Sequence, residues 1–264
     1  MFRTVICRIA ASAAGVQICA AGVALTDKEL AKKPEWYRKD VLALEDSLKK
    51  LGRHGFNTSP SAVNNAYETL KKYAHISNVE VHWRMARALL EKSYFTKCPT
   101  ERAHLVHEAK DCAKKALSFE TDKPSAGAHK WYAIALSNLE EIDSKADHSA
   151  EILKHLEHAA NIDKEDAYTV FLLGVAHYKK KNYSEALTHF QKAETMRKHF
   201  SSSNLYYMGM AYHASGNKEE AIKHFIDSYK VRPKNEHELK SRALAKTMLM
   251  KLKVNREDYE VEEY

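Results

Sequence analysis

The sequence predicts an all-α fold, a stack of about five helical hairpins closed by a C-terminal capping helix. Three observations carry that prediction. The first is a pattern that returns after 35 residues: Val170, Leu173, Gly174, Ala186 and Phe190 are answered by Leu205, Met208, Gly209, Ala221 and Phe225, and Asn182 by Asn217. The second is scarcity of breakers, 8 Gly and 5 Pro in 264 residues, which leaves room for long helices and short connections. The third is apolar residues recurring at three- and four-residue steps elsewhere in the chain. Small residues mark where the two helices of a hairpin touch, and large ones where neighbouring hairpins stack. One hairpin cannot bury its own apolar face, so the pattern implies an array.

The elements follow in order. Over 35–51, Tyr37, Val41, Leu44, Leu48 and Leu51 share one helix face, and residues 52–60 break it with Gly52, Gly55, Asn57 and Ser59. A second helix over 61–74 carries Val63, Ala66, Tyr67, Leu70 and Tyr73 and closes the first hairpin. The third, over 79–94, holds Trp83 and Ala86, and its partner over 101–118 has Ala109, Cys112, Ala113 and Ala116 as a close-packing strip. A third hairpin begins after Pro124 with Trp131, Ile134 and Ala135 and continues over 149–162 with Ile152, Leu156 and Ala159. Hairpins four and five are the clear repeats. A last helix over 236–253 caps the stack through Leu239, Leu244, Met248 and Leu252. These boundaries predict an N-terminal segment 1–34, a repeat domain 35–253 and an acidic tail 254–264 whose end, EDYEVEEY, is expected not to pack. Trp83 and Trp131 lie 48 apart, so the second repeat needs a longer helix pair or a longer connection, placed around 96–100.

Totals and motifs bound the function. A net charge of +7 and a pI near 9.0 favour acidic partners, whether nucleic acid, anionic lipid or an acidic protein tail. A mean hydropathy of −0.55 speaks against a multi-span membrane protein. Four cysteines without a CxxC pair read as reduced thiols. Neither GxGxxG, a phosphate loop, GxSxG nor HExxH occurs, so no catalytic residue, cofactor or metal is expected and the chain reads as a binding protein. His104 with His107, and His155 with His158, each share a helix face, but a metal site needs further ligands. No nucleic-acid-binding module is present, so nucleic acid is not the expected partner. Arg3 and Arg8 are the only charges before Asp27, and the Ala-rich run 9–25 is uncharged. That pattern is compatible with a mitochondrial presequence, a short membrane anchor or a greasy first helix, so membrane association through the N-terminus is an open reading.

Two surfaces are candidates. The template that spaces large, apolar, Gly, aromatic, Ala, aromatic and Pro residues as Leu205, Met208, Gly209, Tyr212, Ala221, Phe225 and Pro233 do is tetratricopeptide-like, which implies a right-handed superhelical stack with first helices facing a concave groove. One step from the packing positions stand Arg84, Tyr132, Tyr168, Phe171, Val175, Tyr178, Tyr206 and Met210, suited to gripping a peptide or helix, although the same period also marks core. The Lys and Asn lining that a carboxylate clamp needs is largely absent. The second surface is basic: Lys179, Lys180, Lys181, Lys192, Arg197, Lys198, Lys218, Lys223, Lys230, Arg232 and Lys234, extended by Lys240, Lys251 and Lys253. Glu262, Glu263 and Tyr264 resemble the Glu-Glu-Tyr ending of α-tubulin; such a tail recruits a plus-end module or folds back on the basic face.

Three stretches carry a family resemblance: HWRMARALLEKS from His82, HKWYAIALS from His129 and HLEHAANIDKEDAYTVFLLG from His155. They are similar to the regulator of microtubule dynamics proteins, over roughly 41–249, with Lys130, Trp131 and Tyr132 the most specific residues because the generic repeat does not demand them. The resemblance implies association with microtubules or tubulin, a role at the mitotic spindle and its poles, and support of chromosome segregation. It implies a cytoplasmic, cytoskeletal location, with mitochondrial or endoplasmic-reticulum association in some members. It transfers no catalytic residue.

Overall fold

The computed structural model describes residues 59–260, apart from 76 and 123, together with scattered positions between 31 and 47. The readings of 1–25, of the break over 52–58 and of the final Glu-Glu-Tyr lie outside the described residues. Of the helix expected over 35–51, only scattered positions are described; Glu35, Arg38, Lys39, Leu42, Ala43, Asp46 and Ser47 are helical.

Ten α-helices and no strand occur among the described residues: α1 Pro60–Lys71, α2 Val79–Phe95, α3 Pro99–Ser118, α4 Ala126–Ile142, α5 Ser149–Ile162, α6 Ala167–Lys179, α7 Tyr183–Met196, α8 Ser202–Ala214, α9 Lys218–Lys230 and α10 Glu236–Lys251. Seven of the ten start at a short polar side chain that accepts an unpaired first-turn amide; α3, α5 and α7 have no such bond. The Glu80 and Val81 amides donate to Asn78, that of Ala128 to Ser125, that of Tyr168 to Asp166 and that of Glu238 to Asn235. Pro60 and Pro99 open α1 and α3, where a missing N–H costs nothing.

The chain divides into two compact units, the first ending at Ala146 and the second beginning at Asp147. In the first, α2 packs against α1, α3 and α4. The extra length in the second repeat lies in the helices themselves, α2 with 17 residues and α3 with 20, while only residues 96–98 join them. Of the two alternatives, the longer helix pair is the one found, with no long connection around 96–100. A Cβ on Gly127 would sit 2.5 Å from the Trp83 ring, so glycine there is what lets the indole lie against the start of α4.

In the second unit α5 packs on α6, α6 on α7, α7 on α8, α8 on α9 and α9 on α10, while α6, α8 and α10 also lie side by side. Each hairpin is drawn tight by a glycine facing a phenylalanine ring. A Cβ on Gly209 would stand 2.6 Å from Phe225, and one on Gly174 would overlap Phe190 in the same way. Two expectations fail at the C-terminus. Of the four residues expected to cap the stack, Met248 and Leu252 do pack, beside Ala245 and Leu249, whereas Leu239 and Leu244 are exposed. The acidic tail packs as far as Glu260: Tyr259 is 1% exposed, joins Phe225, Ala245 and Leu249, and meets Tyr229 edge-on at 5.5 Å. One buried aromatic ring outweighs the solubility of the acids around it.

Candidate functional site

In the first unit the groove candidates are core. Arg84 and Tyr132 are buried, against the expectation that they line an open surface. Arg84 pairs with Glu80 one turn back and its guanidinium stacks 3.9 Å from the Trp83 ring centroid. Arg87 and Glu91, both 1% exposed, form an ion pair at 2.7 Å, and Arg87 also lies over Trp131 of α4 at 4.9 Å. Lys130 lies 6.0 Å over the same ring, His129 is 3.3 Å from Glu120, and Asn138 donates to the Tyr94 hydroxyl at 3.0 Å. The segments around Trp83 and Trp131 are therefore a knit between α2 and α4. Cation-over-indole contacts consume the charges that amphipathic periodicity alone assigns to solvent.

In the second unit Phe171 is likewise buried, in contact with Phe190 at 6.0 Å and with Tyr207 at 6.0 Å. It bridges two hairpins, and the groove reading is corrected for it too. Tyr168, Val175, Tyr178, Tyr206 and Met210 are half-buried. Their rings form a connected series: Tyr168 to Phe171 at 5.8 Å, Tyr178 to Tyr207 at 5.6 Å, Tyr206 to Tyr207 at 5.4 Å and Tyr206 to Phe225 at 6.0 Å. Burial, followed by the neighbouring phenols, raises the pKa of Tyr178 and Tyr206, so both stay neutral donors at physiological pH. Tyr207, missed by the sequence reading, is at the centre of this series; it sits beside Tyr206 and one residue off the stripe.

All eleven basic candidates are exposed, and all belong to the second unit. They are not one patch. Lys179, Lys180, Lys181 and Lys218 stand where α6 turns into α7 and α8 into α9. Arg197, Lys198, Lys230, Arg232 and Lys234 stand at the opposite end, where α7 turns into α8 and α9 into α10. The Lys234 ammonium donates to the Phe200 carbonyl, which places those two turns side by side. Lys192 and Lys223 lie along α7 and α9 between the two ends, and Lys223 is 3.6 Å from Glu220.

The helix ends at the first edge repeat one another. The Lys181 amide donates to Tyr178 O and that of Asn182 to His177 O; Gly216 and Asn217 bond to His213 and Tyr212, and Lys253 and Val254 to Met250 and Leu249. Each turn has one left-handed residue, Lys181 at φ 63°, Gly216 at 83° and Lys253 at 58°. Glycine is the ordinary occupant of that position. The 35-residue repeat that aligns Asn182 with Asn217 also aligns Lys181 with Gly216, and that glycine is the signal in the sequence for a left-handed turn. A second repeated feature is ring stacking between helices: His177 on His189 at 5.2 Å and, 35 residues on, Tyr212 on His224 at 5.3 Å. No group of three His, Cys, Asp or Glu placed to hold a metal occurs among the described residues.

Residues 53–182 and 176–253 match the family Regulator of microtubule dynamics protein 1-3. Mouse (Mus musculus) Regulator of microtubule dynamics protein 1 is 31% identical over 191 residues, covering 63% of this chain and 59% of the relative. The protein of the same name from Pongo abelii is 31% identical over 163 residues, covering 53% and 51%. The chain thus spans about half the length of the curated relatives it matches. Among solved structures it resembles TTC0263, a thermophilic TPR protein of Thermus thermophilus, with a TM-score of 0.57 at 14% identity, covering 80% of this chain and 99% of that one; the likeness is one of fold.

Proposed function

The chain belongs to the regulator of microtubule dynamics protein 1-3 family, and from that premise we propose that it is a non-enzymatic binding protein of microtubules. In this reading it engages microtubules, tubulin or spindle proteins through the basic side chains of its second unit. It supports spindle function and chromosome segregation, and works in the cytoplasm at the cytoskeleton, the spindle and the spindle poles. The observation that carries the reading is that eleven exposed cations belong to one compact unit. Each exposed pair with an acidic partner contributes only about 0.2–1 kcal/mol, so binding requires several at once and weakens as salt shortens the Debye length, about 10 Å at 0.1 M. Pelleting of the full chain with purified microtubules tests this. Reversal of Lys179, Lys180 and Lys181 to Glu is expected to lower the bound fraction severalfold at low salt. Unchanged pelleting would remove those lysines from the account.

A second reading is favoured by the half-buried aromatic series of Tyr168, Tyr178, Tyr206 and Tyr207, beside Met210. A groove of that chemistry takes an extended peptide, and the chain would then be an adaptor at a mitochondrial or endoplasmic-reticulum surface. A fusion lacking residues 1–25 separates the two. Retained microtubule association favours the first reading, and loss of all localisation favours the adaptor.

A further inference from the structure

From the three matched turns at one edge of the second unit we infer that this edge is a docking track for an extended, glutamate-rich peptide, with Lys181 and Lys253 as its two fixed contact points. The inference rests on the acidic-partner reading and specifies which of the two basic ends is used. Three observations lead to it.

The first is backbone strain in a repeated motif. The same pair of amide-to-carbonyl bonds closes α6, α8 and α10, at 2.9 and 3.0 Å, 3.1 and 2.9 Å, and 3.1 and 3.1 Å. The motif accepts glycine without cost, as Gly216 illustrates, and a Cβ at Gly216 would meet nothing within 4 Å. Lysine at the other two positions is less favourable than glycine, because its Cβ crowds the following carbonyl in left-handed backbone. Strain held at a site open to cheap relief points to a use for the side chain.

The second is local charge. Lys179, Lys180, Lys218 and Lys251 flank the same three turns, and all are exposed. Among the described residues none of Lys180, Lys181, Lys218, Lys251 and Lys253 lies within ion-pair distance of a carboxylate. Of the nearby acids, Glu220 is engaged by Lys223 and His224 and Glu260 by Lys246, while Asp147 accepts from Ser149 and also feels the Lys180 charge. Glu185, Glu219, Glu257 and Asp258 are exposed on the adjoining first turns and the terminal 3-10 turn, so the edge carries four carboxylates beside its lysines.

The third is period. α6, α8 and α10 lie side by side, so successive turns are about 10 Å apart, the usual distance between packed helix axes. An extended chain advances about 3.3 Å per residue, so acids three residues apart meet successive turns. A continuous run of glutamates meets all three in any register.

The test is fluorescence anisotropy of a labelled decaglutamate peptide with the full chain at low ionic strength. K181G/K253G is expected to weaken binding roughly fivefold, the effect of losing two exposed pairs. The same variant is expected to raise Tm, because glycine relaxes both turns. K181N/K253N, whose side chain also tolerates left-handed backbone, gives the same loss and guards against a folding artefact. K97Q/K114Q, which removes two exposed charges from the first unit, is expected to stay within about twofold of the wild type. Lysines that merely end helices would give a raised Tm with unchanged affinity, and that result overturns the inference. So does a wild type that fails to bind decaglutamate, or an equal loss in K97Q/K114Q. Microtubule pelleting of the wild type reads the other claim separately. Peptide binding lost in K181G/K253G together with a wild type that never pellets supports the track and rejects the microtubule reading.

Discussion

Gly209 faces the Phe225 ring so closely that a methyl group has no room unless the ring moves. Alanine is the better helix former by up to about 1 kcal/mol, yet overpacking costs about 1–3 kcal/mol, so Gly209→Ala is expected to lose stability. Urea unfolding should show a lowered midpoint, with F225L recovering part of the loss, since the two sites share one contact. The buried pair of the first unit behaves differently. Arg87→Met removes the cation from its ion pair with Glu91, 1% exposed, and is expected to cost about 3–5 kcal/mol, whereas R87M/E91L, which removes both charges, is expected to cost far less. A double-mutant cycle by chemical denaturation measures that difference, and equal losses in the single and double variants would refute it. Both sites involve residues the sequence marked. The glycine–phenylalanine match was legible because it recurs after 35 residues. The burial of Arg84 and Arg87 was not, because a helix packed on several sides gives no one-sided pattern and an arginine over an indole reads as a surface charge.

Helices were the most legible level. Residues 149–162 are helical at the expected bounds, α1 to α3 and α10 differ from expectation by a few residues at most, and α4 begins just after Pro124 as expected. Errors concentrate where no repeat helps: the α2–α3 connection, the packing face of α10, and Tyr259, a single aromatic in an acidic stretch. The stacked rings between helices carry a prediction. Burial pulls the pKa of His189 down, with His177 and Lys192 adding to it and Glu157 opposing; burial also lowers His224, against Asp227, Glu220 and Glu194, with Lys223 adding to it. A histidine with a lowered folded pKa binds fewer protons folded than unfolded. Its contribution is therefore complete above the ordinary value of 6.5 and lost as pH falls below it. Tm is expected to drop between pH 7 and pH 5, and H189F/H224F, which keeps rings without titratable nitrogens, to flatten that drop. A slope identical to the wild type would place the titrating groups elsewhere.

At the scale of the molecule, composition indicated a cationic chain and the family match concurs with the resemblance read from three stretches of sequence. Sequence could count the lysines but not distribute them, because consecutive turns alternate between the two ends of a hairpin stack. Lys181 and Lys198 are close in sequence and yet stand at opposite ends of α7. The groove candidates were hard to sort for a related reason: one helical period marks both fully buried residues and those left at the surface, and only packing separates buried Phe171 from half-buried Tyr178. The central claim is that exposed cations of the second unit hold an acidic filament. Pelleting with intact microtubules and with microtubules stripped of their acidic tails, over a salt series, tests it most directly. The account predicts binding to intact filaments that falls steeply with salt and is several times weaker on stripped ones; equal, salt-insensitive binding to both would contradict it.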